Sequence, residues 1–334
     1  MATRRSGQRK KSKDSHRPVH AETRPKSDSL SVIVTGGAGF IGSNLAMELE
    51  HLGHDVVVVD DFRYGDFRNL KGFRGDLMSH DIRQVPWEEI AGDFDVVFHQ
   101  AAITDTRVSD QQLVLDVNLE ASRQILHACI NSGTKLIYAS SAAVYGNLPA
   151  PYREDGPTDP LNIYGYSKLK FDQYVASIAE EEGGEIEVIG LRYFNVFGPG
   201  ERYKGDFASM VFQMTKQAIE SGKVKLFKYG EQYRDHLHVR NIVQANLKAM
   251  NFDGFGIFNV GLGMGTTFNR ILEAVKEGLG KEITVEWIDN PYSFYQDHTV
   301  ADIAAARALL GYSPDNDPYP SMVEYVRQIA AGVC

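Results

Sequence analysis

The chain has 334 residues, of which 43% are hydrophobic and 24% are charged, as in a folded globular protein. Residues 1–30 contain nine Lys/Arg and three Asp/Glu, whereas the remainder contains 26 basic and 41 acidic residues. The acidic body argues against nucleic acid as the main partner, and no run of about 18 apolar residues predicts a membrane-spanning segment.

The basic N-terminal segment, residues 1–29, is predicted to be a disordered leader that the protein does not need for activity. It has no apolar central part before Leu30, so it does not resemble a signal peptide. The two cysteines, Cys129 and Cys334, lack the spacing of a metal or redox site, and no metal is expected. These features predict a cytoplasmic protein.

The folded part begins with a pattern that is typical of a dinucleotide-binding unit. A buried-strand pattern at residues 30–34 precedes a glycine-rich turn at 35–42, a helical pattern at 44–49, and a second strand at 56–59. That second strand ends in Asp60. A glycine turn, a helix and an acidic residue in this register predict a site for a nicotinamide dinucleotide.

Each part of this unit has a physical role in binding. We expect Gly37 to permit the tight turn, Gly39 to let the pyrophosphate approach the backbone, and Gly42 to let the helix pack on the strand. The helix N-terminus supplies amide groups and partial positive charge for the phosphates. Asp60 is expected to accept hydrogen bonds from the hydroxyls of the adenosine ribose.

Strand and helix patterns continue to alternate after this unit. Strands are predicted at 95–99, 135–139 and 187–191, and helices at 111–130 and 161–181. Such alternation predicts an α/β fold in which residues 30–197 form a Rossmann-type, doubly wound parallel sheet with ligands at its carboxyl edge.

The pattern becomes less regular from residue 198 onward. A short strand is predicted at 224–227, and helices are predicted at 207–221, 239–250, 267–277, 302–310 and 319–330. Residues 198–334 are therefore expected to form mainly a smaller, mixed α/β lobe that binds the substrate.

Polar or small residues follow the predicted strands where a cofactor would lie. Gln100, Ala101, Ala102 and Thr104 come after the fourth strand, and small side chains there let the backbone approach the cofactor. Asp76 is placed after a third predicted strand, from which it could reach the adenine amino group. These residues extend the predicted dinucleotide site along the sheet edge.

A hydroxyl, a phenol and an ammonium group are predicted to meet beside the nicotinamide. Tyr164 and Lys168 are four residues apart, so they share one face of a helix. An ammonium group near a phenol favours the phenolate, which lowers the pKa and makes tyrosine a usable base. Ser141, at a strand end, could polarise a carbonyl or hold a substrate hydroxyl; alone, it would be interpreted as a strand-end cap.

From residue 30 to the C-terminus the chain resembles the extended short-chain dehydrogenases/reductases that act on nucleotide sugars. The resemblance rests on the segments 35–42, 99–102, 140–141, 164–168 and 192–199 together with Asp60. It implies that Lys168 holds the nicotinamide ribose, that Tyr164 takes the proton of the sugar hydroxyl, and that Ser141 holds the reacting oxygen. It also implies a homo-oligomer with one tightly bound cofactor per subunit.

The resemblance further implies two sets of binding residues. The cofactor set comprises Gly36, Gly39, Phe40, Ile41, Gly42, Asp60, Asp61, Asp76, Gln100, Ala101, Ala102, Thr104, Asn118, Tyr164, Lys168 and Val196. The substrate set comprises Ser141, Asn195, Lys204, Asp206, Gln213, Phe227, Arg234 and Tyr295.

The reaction class can be narrowed within the family. Members that eliminate water carry extra acid groups beside the serine, but here those places are Ala142 and Ala143, which cannot protonate a leaving hydroxyl. An epimerase or a plain oxidoreductase remains. Segments 138–143, 203–210, 225–227 and 233–235 and the pair 295–296 are similar to the ADP-glyceromanno-heptose 6-epimerases.

That similarity implies that the catalytic residues are Tyr164, Lys204, Ser141 and Lys168, with Lys204 as a second acid/base. Inversion needs hydride return on the opposite face of a ketone, and the turned oxygen then needs its own proton partner. Lys204 could instead be a solvated loop lysine or a phosphate contact. Arg234 is expected to clamp the pyrophosphate, with a salt bridge to Asp235 as the alternative.

Three points stay open at this stage. Asp206 and Gln213 differ from the usual serine and histidine of the heptose epimerases, which leaves a UDP-hexose 4-epimerase or another nucleotide-sugar oxidoreductase as the alternative. The resemblance implies NADP, although Asp60 and Asp61 would repel a 2′-phosphate unless Arg63 or Arg68 paired with it, so NAD is a close alternative. The alternative that is not an enzyme is a non-catalytic protein that senses the dinucleotide or acts as a scaffold.

Overall fold

A computed structural model describes residues 29–105, 108–289 and 298–333. The predicted leader up to residue 28 and Tyr295 lie outside these residues. Among the described residues, no helix has the length and apolarity needed to cross a membrane.

The strands within the described ranges are β1 (Ser31–Thr35), β2 (Asp55–Val59), β3 (Asp76–Met78), β4 (Val96–His99), β5 (Lys135–Ser141), β6 (Val188–Tyr193), β7 (Asn195–Phe197), β8 (Lys223–Phe227), β9 (Tyr233–Arg234), β10 (His236–His238), β11 (Phe255–Val260), β12 (Thr266–Thr267), β13 (Thr284–Ile288) and β14 (His298–Thr299).

The α-helices in the same ranges are α1 (Phe40–His51), α2 (Trp87–Ile90), α3 (Gln111–Leu115), α4 (Ala121–Ser132), α5 (Ile163–Glu181), α6 (Met210–Ser221), α7 (Val239–Ala249), α8 (Phe268–Leu279) and α9 (Tyr319–Ala330). A π-helical turn, Asp116–Glu120, joins α3 to α4, so the helix predicted at 111–130 is continuous but wider in its middle. A second π-helical segment, Ala306–Leu310, replaces much of the helix predicted at 302–310.

Seven strands form one parallel sheet in the order β11-β6-β5-β4-β1-β2-β3. This confirms the predicted doubly wound α/β fold. The alternation of side chains in β1 shows why both faces are covered. Val32 and Val34 pack in one core with Leu45 of α1, whereas Ile33 packs in the opposite core with Ile125 of α4.

The segment from residue 198 onward contributes to two regions. Strand β11 returns to the large sheet and pairs with β6 along its whole length, from Phe255 opposite Val188 to Val260 opposite Tyr193. Helices α6, α8 and α9 build a separate core beside the parallel pair β8–β13. The domain boundary at residue 197 remains a prediction. The large sheet contains β11, which comes from the segment after that boundary.

The carboxyl ends of β1 and β4 lie side by side, and their following connections run to opposite faces of the sheet. Such a point of reversal opens a crevice where ligands bind in doubly wound folds. The helix α6 begins later than predicted because Ser209 caps it: the Ser209 hydroxyl oxygen accepts a hydrogen bond from the Phe212 amide.

Candidate active site

A cavity of about 810 Å³ lies at this carboxyl edge. Its walls bring together most of the residues predicted from the sequence: Gly36, Gly39, Phe40, Ile41, Gly42, Asp60, Asp61, Gln100, Ala101, Ala102, Thr104, Ser141, Tyr164, Lys168, Asn195, Val196, Lys204, Asp206, Gln213 and Arg234. The predicted cofactor and substrate residues therefore share one continuous space.

The turn between β1 and α1 forms one end of the cavity. Gly36 has a φ of +66°, and a Cβ there would lie 2.7 Å from the Ala101 backbone. Gly36 carries the positive φ of the tight turn. Gly37 lies in the same turn, where a Cβ would collide with the Val58 side chain. Gly39 caps α1, and its first-turn residues face the cavity, so their backbone amides suit a pyrophosphate.

Asp60 braces this turn. Its side chain is buried, and its two carboxylate oxygens accept hydrogen bonds from the amides of Ala38, at 2.9 Å, and Phe62, at 2.8 Å. Burial raises the pKa of Asp60, against the opposing effect of these two hydrogen bonds. The residue lines the cavity, yet both oxygens already hold the loops on which an adenosine ribose would rest.

The arginines near Asp60 form ion pairs with neighbouring carboxylates. The Arg63 guanidinium lies 3.5 Å from Asp61 and 3.4 Å from Asp81. Arg68 forms a two-point pair with Asp66, with distances of 2.8 and 2.6 Å. Each arginine that could hold a 2′-phosphate already has a carboxylate partner.

Asp76 is not at the site. It is the first residue of β3, exposed at the amino end of the strand, whereas the cavity lies at the carboxyl end. The prediction failed because the strand spans only three residues, so its position was misjudged. Asp81, which lies beyond the carboxyl end of β3 and lines the cavity, occupies the expected place.

Two other predicted residues do not line the cavity, and a third falls outside the described residues. Asn118 is buried and exchanges hydrogen bonds with both backbone groups of Ile103, at 2.8 and 2.9 Å, so it positions the loop after β4. Phe227 ends β8 and is absent from the cavity walls, which lie closer to β7 and β10. Tyr295 lies in the undescribed segment 290–297.

The serine, tyrosine and lysine all line this cavity. Asn162 caps α5 by accepting a hydrogen bond from the Gly165 amide at 2.9 Å. A Cβ at Gly165 would lie 2.6 Å from the Ala143 carbonyl oxygen, so glycine there lets α5 press against the turn after Ser141. The Ser141 hydroxyl oxygen also accepts a hydrogen bond from the Ala143 amide at 3.1 Å, which is the strand-end cap considered above.

The electrostatics of this group differ from the expectation. Burial raises the pKa of Tyr164, and a hydrogen bond with Ser141 opposes that effect. The Lys168 ammonium group donates to the Ala139 carbonyl oxygen at 2.7 Å. Burial lowers the pKa of Lys168 to about 8, although the Asp172 carboxylate favours its charged form.

A buried ion pair holds the strand that ends in Ser141. The Asp172 carboxylate accepts hydrogen bonds from Ser140 and Tyr138, both at 3.0 Å, and from the Arg192 guanidinium at 2.8 Å. Asp172 lies one turn beyond Lys168 on α5. The pair therefore ties α5 to β5 and β6 next to the candidate catalytic residues, a role that required tertiary contacts to recognise.

Asp172→Ala is expected to destabilise the fold by about 3–5 kcal/mol, because it leaves a buried guanidinium without its partner. Asp155→Ala is the matched control, since its pair with Arg153 is exposed and should contribute less than about 1 kcal/mol. Urea unfolding measures both free energies. Equal losses in the two variants would contradict the proposed role of the buried pair.

Lys204 lines the same cavity as Tyr164 and comes from another part of the chain. It belongs to the 3₁₀-helical segment Glu201–Phe207, and its ammonium nitrogen lies 5.6 Å from the centroid of the Phe40 ring. Burial lowers the pKa of Lys204, while the Glu201 carboxylate opposes that shift. A lysine whose pKa moves toward neutrality can serve as a base as well as an acid.

Glu201 fixes the segment that carries Lys204. Its side chain is fully buried and accepts hydrogen bonds from the Gly198 amide at 3.1 Å, the Ser209 hydroxyl at 2.8 Å and the Ser209 amide. Glu201 matches no sequence motif, because these contacts join residues on both sides of a loop.

The remaining substrate candidates also line the cavity. Gln213 donates to the carbonyl oxygens of Asp206, at 2.9 Å, and Ala208, at 2.7 Å, and so shapes the loop before α6. Asn195 donates to the Thr299 hydroxyl at 3.1 Å. The Arg234 guanidinium carbon lies 5.9 Å from the centroid of the Phe268 ring.

Neighbouring Asp235 does not need Arg234 to satisfy its charge. Its carboxylate accepts hydrogen bonds from the amides of Leu262, Gly263 and Ala301, at 2.7, 2.9 and 3.1 Å. Within residues 29–105, 108–289 and 298–333, no three His, Cys, Asp or Glu side chains form a group that could hold a metal ion.

Comparisons with known proteins agree with this geometry. Residues 32–261 match the model of the NAD dependent epimerase/dehydratase family. The ADP-L-glycero-D-manno-heptose-6-epimerase of Brachyspira hyodysenteriae is 36% identical over 300 residues, which cover 84% of this chain and 92% of that protein.

Two solved structures extend the comparison. The Helicobacter pylori ADP-L-glycero-D-manno-heptose-6-epimerase superposes with a TM-score of 0.84 at 40% identity, covering 91% of this chain and 97% of the other. The UDP-N-acetylglucosamine 4-epimerase of Methanobrevibacter ruminantium M1, in complex with UDP-N-acetylmuramic acid, gives 0.85 at 30% identity, with coverage of 91% and 99%. The chain therefore belongs to the NAD-dependent epimerase/dehydratase family.

Proposed function

We propose that this protein is an ADP-glyceromanno-heptose 6-epimerase, which interconverts ADP-D-glycero- and ADP-L-glycero-D-manno-heptose and so makes a sugar donor for lipopolysaccharide core. The observation that carries the proposal is the presence of two proton-transfer groups, Tyr164 and Lys204, in the walls of one cavity. The similarity to the two heptose epimerases supports the choice of sugar.

The two groups divide the reaction between the two faces of the carbinol carbon. A nicotinamide dinucleotide held by the walls of this cavity would supply the hydride acceptor and donor for C6″. Tyr164 accepts the hydroxyl proton of one epimer, with Ser141 holding the reacting oxygen. When the ketone turns over, its oxygen meets Lys204, which donates the proton that completes the other epimer.

Incubation of the protein with ADP-D-glycero-D-manno-heptose, followed by NMR of the sugar, tests this function. We expect an equilibrium mixture of the two epimers with no net oxidation of the substrate. A substrate that stays unchanged, in protein that contains its dinucleotide, would contradict the proposal.

A UDP-hexose 4-epimerase is the second candidate, supported by the similarity to the Methanobrevibacter ruminantium UDP-N-acetylglucosamine 4-epimerase. The same NMR assay with UDP-glucose and UDP-N-acetylglucosamine distinguishes the two, since faster turnover of either UDP-sugar would favour this candidate. A dinucleotide sensor without catalysis would bind cofactor but convert none of these substrates.

Activity should fall as the pH rises through about 8, because Lys168 then loses the proton that gives its ammonium charge. The ammonium group is the predicted contact to the nicotinamide ribose, and its charged form makes stronger hydrogen bonds there than the neutral amine would. A profile of kcat/KM against pH measures this fall in activity at high pH. The side chain of Lys168→Arg stays charged throughout, so its residual activity should not fall in this pH range. The same fall in that variant would contradict the assignment to Lys168.

The cofactor preference follows from the charges at the rim. NADP carries a 2′-phosphate, which would enter a region where Asp60, Asp61 and Asp81 lie and where Arg63 already pairs with two carboxylates. These charges favour NAD over the NADP that the family resemblance implies.

Calorimetric titration of cofactor-free protein should show NAD binding at least about tenfold more tightly than NADP, which corresponds to about 1.4 kcal/mol. Asp61→Asn keeps the shape of the side chain and removes one charge, so it should narrow that ratio by improving NADP binding. Asp253→Asn, an exposed change away from the cavity, is the control. Tighter binding of NADP than NAD by the unmodified protein would overturn the preference.

We expect a cytoplasmic homo-oligomer with one tightly held dinucleotide in each subunit. The family resemblance supports the assembly and the cofactor stoichiometry. The spacing of the two cysteines, which is not that of a disulfide framework, supports the compartment.

A further inference from the structure

His236 is a buried imidazole that the proposed reaction does not use. Its side chain is 2% exposed, and neither ring nitrogen has a hydrogen-bond partner among the residues that the structure describes. A buried polar group without a partner lowers the stability of a fold. Phenylalanine would fill the same space without that penalty, so packing alone does not account for histidine.

The fold places this imidazole in the substrate half of the cavity. His236 begins β10, where its backbone lies opposite Asn195 of β7, and it lines the cavity together with Arg234. The Asp235 side chain between them points away and binds backbone amides. Arg234 and His236 thus share one side of the chain, and both lie near Phe268, with the imidazole centroid 6.2 Å from that ring.

The charge state of His236 limits the groups that it can recognise. Burial, and to a lesser extent the Arg234 guanidinium, lowers the pKa of His236 to about 3, so the ring is neutral near pH 7. A neutral imidazole presents one N–H donor and one nitrogen acceptor. A hydroxyl group, which both donates and accepts, matches that pair, whereas a phosphate oxygen accepts only and is better served by the neighbouring arginine.

We propose that His236 is a substrate-binding residue whose imidazole hydrogen-bonds a hydroxyl group of the nucleotide sugar. The inference rests on the proposed function in that it takes the ligand of this cavity to be a nucleotide sugar. The hydroxyl belongs either to the ribose of the nucleotide or to the sugar, and the two sources share the same chemistry.

Calorimetric titration of dinucleotide-loaded protein with ADP and with ADP-D-glycero-D-manno-heptose tests the contact in His236→Phe. Loss of one neutral hydrogen bond should weaken binding by about tenfold. Weakening of the nucleotide sugar alone would assign the hydroxyl to the sugar, and equal weakening of both ligands would assign it to the ribose. Unchanged affinity for both ligands would overturn the proposal.

Two further variants separate recognition from folding. His236→Gln keeps a donor and an acceptor, so its affinity should lie between those of the unmodified protein and His236→Phe. His127→Phe is the matched control, because His127 bonds Tyr174 at 2.7 Å between α4 and α5, away from the cavity walls. Thermal unfolding should show no loss of stability in His236→Phe, since that change removes two unpartnered polar atoms.

These experiments distinguish a failure of the proposed function from a failure of the proposed role of His236. Unmodified protein that binds the nucleotide sugar without epimerising it would contradict the proposed function and still show the effect of His236. Protein that epimerises the sugar, with His236→Phe binding both ligands normally, would contradict the role of His236 alone.

Discussion

Tyr164→Phe should lower kcat by about a thousandfold, because a ring without its hydroxyl cannot accept the proton of the substrate alcohol. The change removes one oxygen atom and leaves α5, its Asn162 cap and the close packing of Gly165 in place. Cofactor content should stay the same, since Lys168 keeps its contact with the Ala139 carbonyl. Steady-state conversion followed by NMR measures the effect.

The control for this prediction lies on the same helix. Tyr166 is 42% exposed and is absent from the cavity walls, so Tyr166→Phe should retain full activity. A Tyr164→Phe enzyme whose kcat lies within tenfold of that of the unmodified protein would show that Tyr164 does not accept the proton. Ser141 would then be the next candidate for that role.

Lys204→Met should lower kcat for epimerisation by about a hundredfold or more, because the second face of the ketone then lacks a proton donor. Methionine retains an unbranched apolar chain of similar length, so the packing against Phe40 should persist. Unchanged thermal stability would show that the segment fixed by Glu201 is intact. NMR of the product ratio at fixed times measures the rate.

The alternative roles of Lys204 predict other outcomes. A phosphate contact would appear mainly as a higher KM, and a solvated lysine would leave both constants unchanged. Lys216→Met, on an exposed part of α6, is the control for loss of a positive charge. A Lys204→Met enzyme with normal kcat would contradict its function as an acid/base.

The local parts of the fold could be predicted because their signals are local. The β1 and β2 strands are runs of Val and Ile buried on both faces, the turn at Gly36 and Gly42 requires residues without a Cβ, and Tyr164 and Lys168 meet through helical spacing alone. The same local information places Ser141 at a strand end.

Other parts depend on contacts between distant segments. The pairing of β11 with β6 depends on the packing of both strands against the helices on the two faces of the sheet. Neither strand has a local sequence pattern that identifies the other as its partner. Asp76 was misplaced because its strand spans only three residues, which is too short to show a periodic pattern. The role of Asp172 arises from partners far along the chain, that of Glu201 from contacts across one loop, and that of His236 from the absence of a partner among the described residues, so only the folded structure identifies them.

The central claim is that Tyr164 and Lys204 each serve one epimer, and a crossed single-turnover experiment tests it most directly. Each purified epimer is mixed in turn with Tyr164→Phe and Lys204→Met enzyme, and the absorbance of reduced nicotinamide reports oxidation to the ketone. We predict that each variant oxidises one epimer only and that the two variants retain opposite epimers. Oxidation of both epimers by Lys204→Met enzyme would contradict the account.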